Sequence, residues 1–157
     1  MTASLDPHLD LEITRYLTAK PAQIWRCLTE EPLFLQWFAP LPARAIGAVI
    51  EAHVGGRFHV DIRLEDGRLE GFSACILAIT LAHDLTFTTA LGPGFRPTHN
   101  AFATYHLALV AIASGTRVVL RASHPDRATC AAHAEAGFHD SWTLAFDQLA
   151  QVTEALA

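Results

Sequence analysis

The sequence predicts an α+β fold, and three features of the chain support this class. The middle of the chain alternates apolar and polar residues, which is typical of antiparallel strands with one buried face. Two short helical segments come early, and one long helical segment closes the chain. Strands that follow one another, with helices kept apart from them, predict an antiparallel sheet packed on helices. The expected order is one strand, two helices, six strands and a long helix.

The first third of the chain supplies a strand and two short helices. Residues 11–18 alternate in polarity and predict the first strand. The Lys20-Pro21 pair begins the first helix, because the fixed φ angle of proline suits the first helical turn. A second short helix starts at residues 29–32. Pro40 and Pro42 end it, since proline cannot continue the helical hydrogen bonding.

Six further strands are predicted between residues 45 and 124. The clearest is 57–64, in which Phe58, Val60 and Ile62 share one face and charged or polar residues occupy the other. Turn residues such as the Asp66-Gly67 pair separate the strands. A loop at residues 91–100 contains two glycines and two prolines. The predicted strands cover residues 45–54, 57–64, 69–79, 85–89, 102–113 and 116–124.

The last segment, residues 129–156, is predicted to be one long helix. Phe138, Trp142, Phe146 and Leu149 recur at steps of four and three residues, so they form one apolar stripe. An antiparallel sheet of about seven strands is long enough to curl. A curled sheet wrapped on this helix encloses a space, and a site for a small molecule is expected there.

Composition limits the classes of function. A chain of 157 residues suits a single domain over 1–157, and 51% hydrophobic with 17% charged residues excludes disorder. The net charge of −5, without a basic run, argues against a nucleic-acid partner. The longest apolar runs are far shorter than the roughly 20 residues of a membrane span. With no secretory signal in the sequence, no membrane association and a cytoplasmic location are expected.

Six short strings of residues stand out along the chain: 19–29 (AKPAQIWRCLT), 36–40 (QWFAP), 54–58 (VGGRF), Asp66-Gly67, Gly115-Thr116, and GFHDSW with FDQL within 137–149. They resemble strings of one known family, in the same order. Together they make the chain similar, over about residues 11–156, to the START-like (SRPBCC) superfamily. The branch it resembles contains proteins similar to the C-terminal domain of the activator of the heat-shock chaperone ATPase. Two departures are Ser141, where the family usually has glycine, and residues 81–84, which replace a proline-rich turn.

The resemblance implies the helix-grip fold, a curved antiparallel sheet around a long C-terminal helix. The superfamily includes lipid and hormone carriers, polyketide cyclases and co-chaperone domains, so it leaves function open. The leading hypothesis is binding of a small, largely apolar or amphipathic ligand between the sheet and that helix. The alternatives are a polyketide-cyclase-like or hydrolase-like enzyme using the same pocket, and a stress-related co-chaperone or interaction module. A homodimer or a chaperone partner would fit the last alternative.

Aromatic residues on the inward faces provide the candidate ligand-binding residues. Strand parity and helix spacing direct them toward the enclosed space, and Trp37-Phe38 is expected near its mouth. For the enzyme alternative, Tyr105 and His124 are the acid–base candidates. Phe95 and Arg96, in the loop at 91–100, are expected at the rim of the mouth. The predicted lining residues are Trp37, Phe58, Phe87, Tyr105, Phe138 and Trp142.

The sequence predicts neither a metal site nor a cofactor. The nine histidines lack the spacing of metal ligands, and Cys130 with His133 is only a single pair. The three cysteines are scattered through segments that are expected to be buried, so reduced thiols are predicted. Cys27 lies on the apolar face of the first helix and is interpreted as a core residue rather than a nucleophile.

Overall fold

The structure is a computed structural model that describes residues 4–156. Its main sheet has seven antiparallel strands, which confirms the predicted α+β class. In chain order the elements are β1 (Asp10–Leu17), α1 (Pro21–Thr29), α2 (Glu31–Phe34), β2 (Arg44–Ile50), β3 (Arg57–Arg63), β4 (Leu69–Thr80), β5 (Asp84–Thr88), β6 (Leu91–Gly92), a 3-10 turn (Pro93–Phe95), β7 (Arg96–Pro97), β8 (Thr104–Ile112), β9 (Gly115–Ser123), α3 (Arg127–Glu135) and α4 (Phe138–Leu156). Along the sheet the strand order is β1-β9-β8-β5-β4-β3-β2, and β6 pairs with β7 in a separate small hairpin.

Alternation along the strands places one set of side chains on the concave face of the sheet. In β9 every second residue from Thr116 to Ala122 is buried, and in β8 the same holds from Tyr105 to Leu109. Irregular registers in β2 and β4 add local twist to the sheet. The curled sheet packs its apolar face against α1 and α4, where the core lies.

The C-terminal helical region differs from the single helix predicted over residues 129–156. It is two helices, because Gly137 adopts a φ of +98° just after α3 and ends it in the left-handed conformation that glycine favours. The Asp126 side chain caps the start of α3 by accepting a hydrogen bond from the Thr129 amide at 2.7 Å. As a result α3 is a helix separate from α4, and its His133 bonds to His124, the residue that follows β9.

Gln148 of α4 holds the segment that follows α2 against the helix. Its Nε2 donates to the carbonyl oxygens of Trp37 and Ala39 at 3.0 and 2.9 Å. Its Oε1 accepts from the Leu41 amide at 2.9 Å. Three backbone groups of an irregular segment are thereby satisfied by one side chain. This clamp fixes the position from which Trp37 and Phe38 reach the core.

Candidate functional site

Aromatic rings form a continuous layer between the sheet and α4. On the sheet side, Phe58 stacks on Phe87 with ring centroids 4.3 Å apart, and Phe87 stacks on Tyr105 at 5.1 Å. Phe87 and Tyr105 are direct partners on β5 and β8, whereas Phe58 lies on β3 opposite Ala74 of the intervening strand β4. Phe72 of β4 contacts both Phe87 and Tyr105 edge to face. The three stacked rings are almost fully buried.

The helix side of the layer is built from α4 and the segment after α2. Trp37 stacks on Phe146 at 6.4 Å, and Trp142 lies 5.5 Å from Phe146. Phe34 connects this side with the sheet side through an edge-to-face contact with Phe58 at 5.6 Å. We call these rings the aromatic layer. Its members are Phe34, Trp37, Phe38, Phe58, Phe72, Phe87, Tyr105, Trp142 and Phe146.

Burial decreases toward one end of this layer. Phe38 and Trp142 are half-buried and meet edge to face with centroids 5.7 Å apart, while Phe72 lies 6.5 Å from Phe38. Phe102, before β8, is also half-buried, but its ring contacts are with His124 and His133. We call the three half-buried rings of the layer, Phe38, Phe72 and Trp142, the aromatic mouth. The other rings of the layer are almost fully buried.

The structure brings the six predicted lining residues into one network of ring contacts. Phe138 joins it through His133, whose ring lies 5.1 Å from Phe138 and 6.3 Å from Tyr105. Sequence reasoning missed Phe72, Phe102 and His133. Phe72 could have been found, because it shares its strand parity with the buried Ala74. His133 could not, since an unbroken helix over 129–156 would not direct it toward Tyr105.

Phe95 and Arg96 lie apart from the aromatic layer. The Gly94 amide donates to the Gly55 carbonyl at 2.8 Å, which ties the 3-10 turn to the β2–β3 connection. The Phe95 ring then packs over Gly55, so close that a Cβ on Gly55 would lie 3.1 Å from it. Arg96 is exposed at the start of β7. The prediction that these two residues form the rim of the mouth is therefore not supported by any contact with the aromatic layer.

Tyr105 presents a hydroxyl group without a hydrogen-bond partner among residues 4–156. Every fully buried side-chain nitrogen and oxygen atom of the described residues has a partner, so this oxygen keeps some contact with solvent. Burial of the ring raises the pKa of Tyr105. The group therefore stays protonated at neutral pH and offers both a donor and an acceptor.

His124 and His133 form a hydrogen-bonded pair beside Tyr105. His124 Nδ1 lies 2.8 Å from the Leu9 carbonyl oxygen, and its Nε2 lies 2.8 Å from His133 Nδ1. Burial, and secondly the neighbouring His124, lower the pKa of His133 to about 4. His133 is therefore neutral at pH 7. The sequence-predicted pair of Tyr105 and His124 is thus connected through His133 rather than by direct contact.

The described part of the chain holds no cluster of metal ligands, no exposed thiol and no helix suited to crossing a membrane. Within residues 4–156 no group of three His, Cys, Asp or Glu side chains is placed to hold a metal ion. All three cysteines are buried and free, and burial raises the pKa of Cys27 to about 11, which suppresses the thiolate. No helix in this part of the chain is long and apolar enough to cross a membrane.

A groove of about 520 Å³ lies outside the aromatic layer, between the segment after α2, β2 and the end of α4. None of the predicted lining residues contributes to it. Leu41 and Ile46, both exposed, lie on its apolar wall, and among the described residues Arg44 is the one charged side chain that lines it. We call this the outer groove. An experiment that locates a bound ligand must therefore distinguish this groove from the aromatic layer.

The fold places the chain in a structural class. A curved antiparallel sheet closed by a long C-terminal helix is the helix-grip arrangement of START-like proteins. A solved structure from Nitrosomonas europaea is 30% identical, with a TM-score of 0.93 over 97% of this chain and 98% of that one. One from Rhodobacter sphaeroides is 20% identical, with a TM-score of 0.84 over 98% and 99%. A structure described as an AHSA1-like protein from Aeromonas hydrophila is 17% identical, with a TM-score of 0.74 over 94% of each chain.

The family follows from the sequence match. The model for "Activator of Hsp90 ATPase homolog 1-like protein" matches residues 18–154, which is most of the chain. The chain belongs to this family, and the resemblance in the six strings is confirmed. No curated protein matches the chain significantly. The family and the fold are compatible with ligand binding but name no ligand.

Proposed function

We propose that the chain binds a small, largely apolar ligand between the sheet and α4, with entry at the aromatic mouth. The observation that carries this proposal is the combination of two features of the aromatic layer that meet at Phe72. The rings of the mouth, including Phe38 and Trp142, are only half-buried. Tyr105, whose ring lies 5.7 Å from Phe72, has a hydroxyl group without a partner among residues 4–156. Apolar walls with a few oriented polar groups are the usual composition of a small-molecule site.

Entry requires the half-buried rings to move. The rings of the layer touch one another, so a ligand enters by parting Phe38, Phe72 and Trp142 rather than by filling an open hole. The backbone beside Phe38 stays fixed during this motion, because Gln148 bonds to the carbonyls of its neighbours Trp37 and Ala39. Side-chain rotation is faster than the collective motions that rearrange the backbone.

The expected affinity is modest. Covering about 200 Å² of apolar surface contributes roughly 5 kcal/mol before the costs of association are subtracted. A generic apolar probe should therefore bind in the micromolar range or more weakly. A tighter natural ligand would need to satisfy the polar groups of Tyr105 and His133 as well.

The test is an NMR titration that follows the three tryptophan indole N–H signals with 2-methylnaphthalene as the probe. Trp142 lies in the aromatic mouth, whereas Trp25 lies in α1 outside the aromatic layer. Saturable shifts at Trp142 without shifts at Trp25 support the proposal. Phe72→Ala should weaken binding about tenfold, through loss of a stacking partner. Phe95→Ala is the matched control, since that ring packs over Gly55, and it should leave the affinity unchanged.

A result with no shift at Trp142, or with equal shifts at Trp25, would contradict ligand binding at this site. The interaction-module alternative, with a chaperone or a second copy as partner, would then lead. A cytoplasmic location remains part of the proposal and is testable by fractionation of cells that produce the protein.

Acid–base catalysis at the same site is a second candidate, favoured by one observation. The bond between His124 Nε2 and His133 Nδ1 links a buried imidazole to one that contacts the Tyr105 ring. A proton accepted at His133 can be stabilised by this pair, while Tyr105 donates a hydrogen bond to a developing oxyanion. Turnover of an enolisable aromatic ketone, followed by exchange of its α-protons with deuterium, would support this candidate. Absence of catalysed exchange above the buffer rate would exclude it for that substrate class.

A further inference from the structure

The hydrogen bonds around His124 determine which atom of His133 carries a proton. The Leu9 carbonyl oxygen can only accept, so the Nδ1 of His124 must donate to it. Nε2 of a neutral His124 is then an acceptor, and it receives the N–H of His133 Nδ1 across 2.8 Å. The remaining nitrogen of neutral His133, Nε2, consequently carries a lone pair. The Leu9 carbonyl oxygen thus determines, through His124, that His133 Nε2 is a hydrogen-bond acceptor.

His133 Nε2 has no partner among residues 4–156, and it is not fully enclosed, since every fully buried side-chain nitrogen there is bonded. The adjacent Tyr105 hydroxyl is likewise unpartnered, and the two rings lie 6.3 Å apart. No charged side chain of the described residues bonds to either group. The two side chains therefore present one obligate acceptor and one hydroxyl that can donate, both at the aromatic layer and both uncharged.

We infer that the ligand carries a neutral hydroxyl group on a flat, unsaturated ring, as in a phenol or an enol. This inference rests on the proposed function and names the ligand class of the same site. The ligand hydroxyl donates to His133 Nε2, and its oxygen accepts from the Tyr105 hydroxyl. The ring of the ligand lies among Phe38, Phe72 and Trp142, where stacked and edge-to-face contacts are available.

Other polar groups satisfy this pair less well. A carboxylate would place its charge against the lone pair of His133 Nε2 with no cation to compensate, and charge burial without a partner is costly. A ketone or an ether can accept from Tyr105 but leaves His133 Nε2 unpaired. A site built to bond a hydroxyl discriminates strongly against analogues that lack it, because its own polar groups are then left unsatisfied.

The experiment compares four probes that share one ring system, by the Trp142 indole titration at pH 7. The probes are 2-naphthol, 2-methoxynaphthalene, 2-naphthoate and 2-methylnaphthalene. We expect 2-naphthol to bind about tenfold more tightly than the methyl ether, which corresponds to about 1.4 kcal/mol. The naphthoate should bind more weakly than 2-methylnaphthalene. These comparisons use the unaltered chain and do not depend on the folding of any variant.

Two variants assign the preference to its residues. Tyr105→Phe and His133→Phe should each lower the ratio of 2-naphthol to 2-methoxynaphthalene affinity from about tenfold to about threefold or less. His53→Phe is the control, since the exposed His53 side chain bonds to the adjacent Val54 carbonyl, and it should keep the ratio. Equal affinities for 2-naphthol and its methyl ether would overturn the inference. Tighter binding of the naphthoate than of 2-methylnaphthalene would overturn it as well. In either case measurable binding of 2-methylnaphthalene would leave the proposed function standing, whereas no binding of any probe would remove both.

Discussion

Gln148→Ala removes the side chain that clamps the segment after α2, and its effect can be worked out from the structure. Three hydrogen bonds are lost, to the carbonyls of Trp37 and Ala39 and from the Leu41 amide. A typical bond contributes about 0.5–1.5 kcal/mol, and water can reach part of this segment. We therefore expect the free energy of unfolding to fall by about 2–3 kcal/mol.

The assay combines urea unfolding with amide hydrogen exchange. Gln151→Ala is the matched control, because Gln151 is exposed on the same helix and makes no hydrogen bond within the described residues. Its free energy of unfolding should change by less than about 0.5 kcal/mol. The Leu41 amide, which donates to Gln148 Oε1, should lose protection in Gln148→Ala and keep it in Gln151→Ala. Equal stabilities of the two variants, or an unchanged Leu41 exchange rate in Gln148→Ala, would refute the clamp.

Three further predictions concern stability. Phe146→Ala should cost about 3–5 kcal/mol, because the ring is 1% exposed, and calorimetry showing an unchanged melting temperature would contradict its placement. Gly137→Ala should destabilise by about 1–2 kcal/mol in urea unfolding, since φ is +98° there, whereas an unbroken helix would be stabilised by alanine. The pKa of His133 is about 4 in the folded chain against about 6.5 unfolded, so the unfolded state binds more protons between these values. The free energy of unfolding should therefore fall by about 1–2 kcal/mol as pH drops from about 6.5 to about 4, after allowance for the half-exposed ring. His133→Gln should make the free energy of unfolding depend less on pH in this window. An equal fall in the variant would refute the assignment to His133.

The strands could be predicted because their burial pattern is local. The alternation of Phe58, Val60 and Ile62 predicts β3 within one residue of its observed end. The same alternation predicts the inward direction of Phe87 and Tyr105, and the structure stacks these two rings. In each strand the buried face follows from a period of two residues, which needs no knowledge of the neighbouring strands.

The break at Gly137 and the position of the loop at 91–97 could not be predicted in the same way. A single glycine in a helical pattern costs only about 1 kcal/mol, so the pattern alone does not show that the helix stops there. Phe95 is placed by a backbone bond between Gly94 and Gly55, which are distant in sequence. His133 reaches Tyr105 from α3, which the break at Gly137 separates from α4. Contacts that depend on how elements are arranged in space have no local pattern to predict them.

The location of a bound probe tests the central claim most directly. Intermolecular nuclear Overhauser effects between 2-naphthol and the protein distinguish the aromatic layer from the outer groove. We predict contacts from the naphthol ring protons to the side chains of Phe72, Tyr105 and Trp142. Contacts to Leu41 and Ile46 of the outer groove, with none to Tyr105 or Trp142, would contradict a ligand site between the sheet and α4.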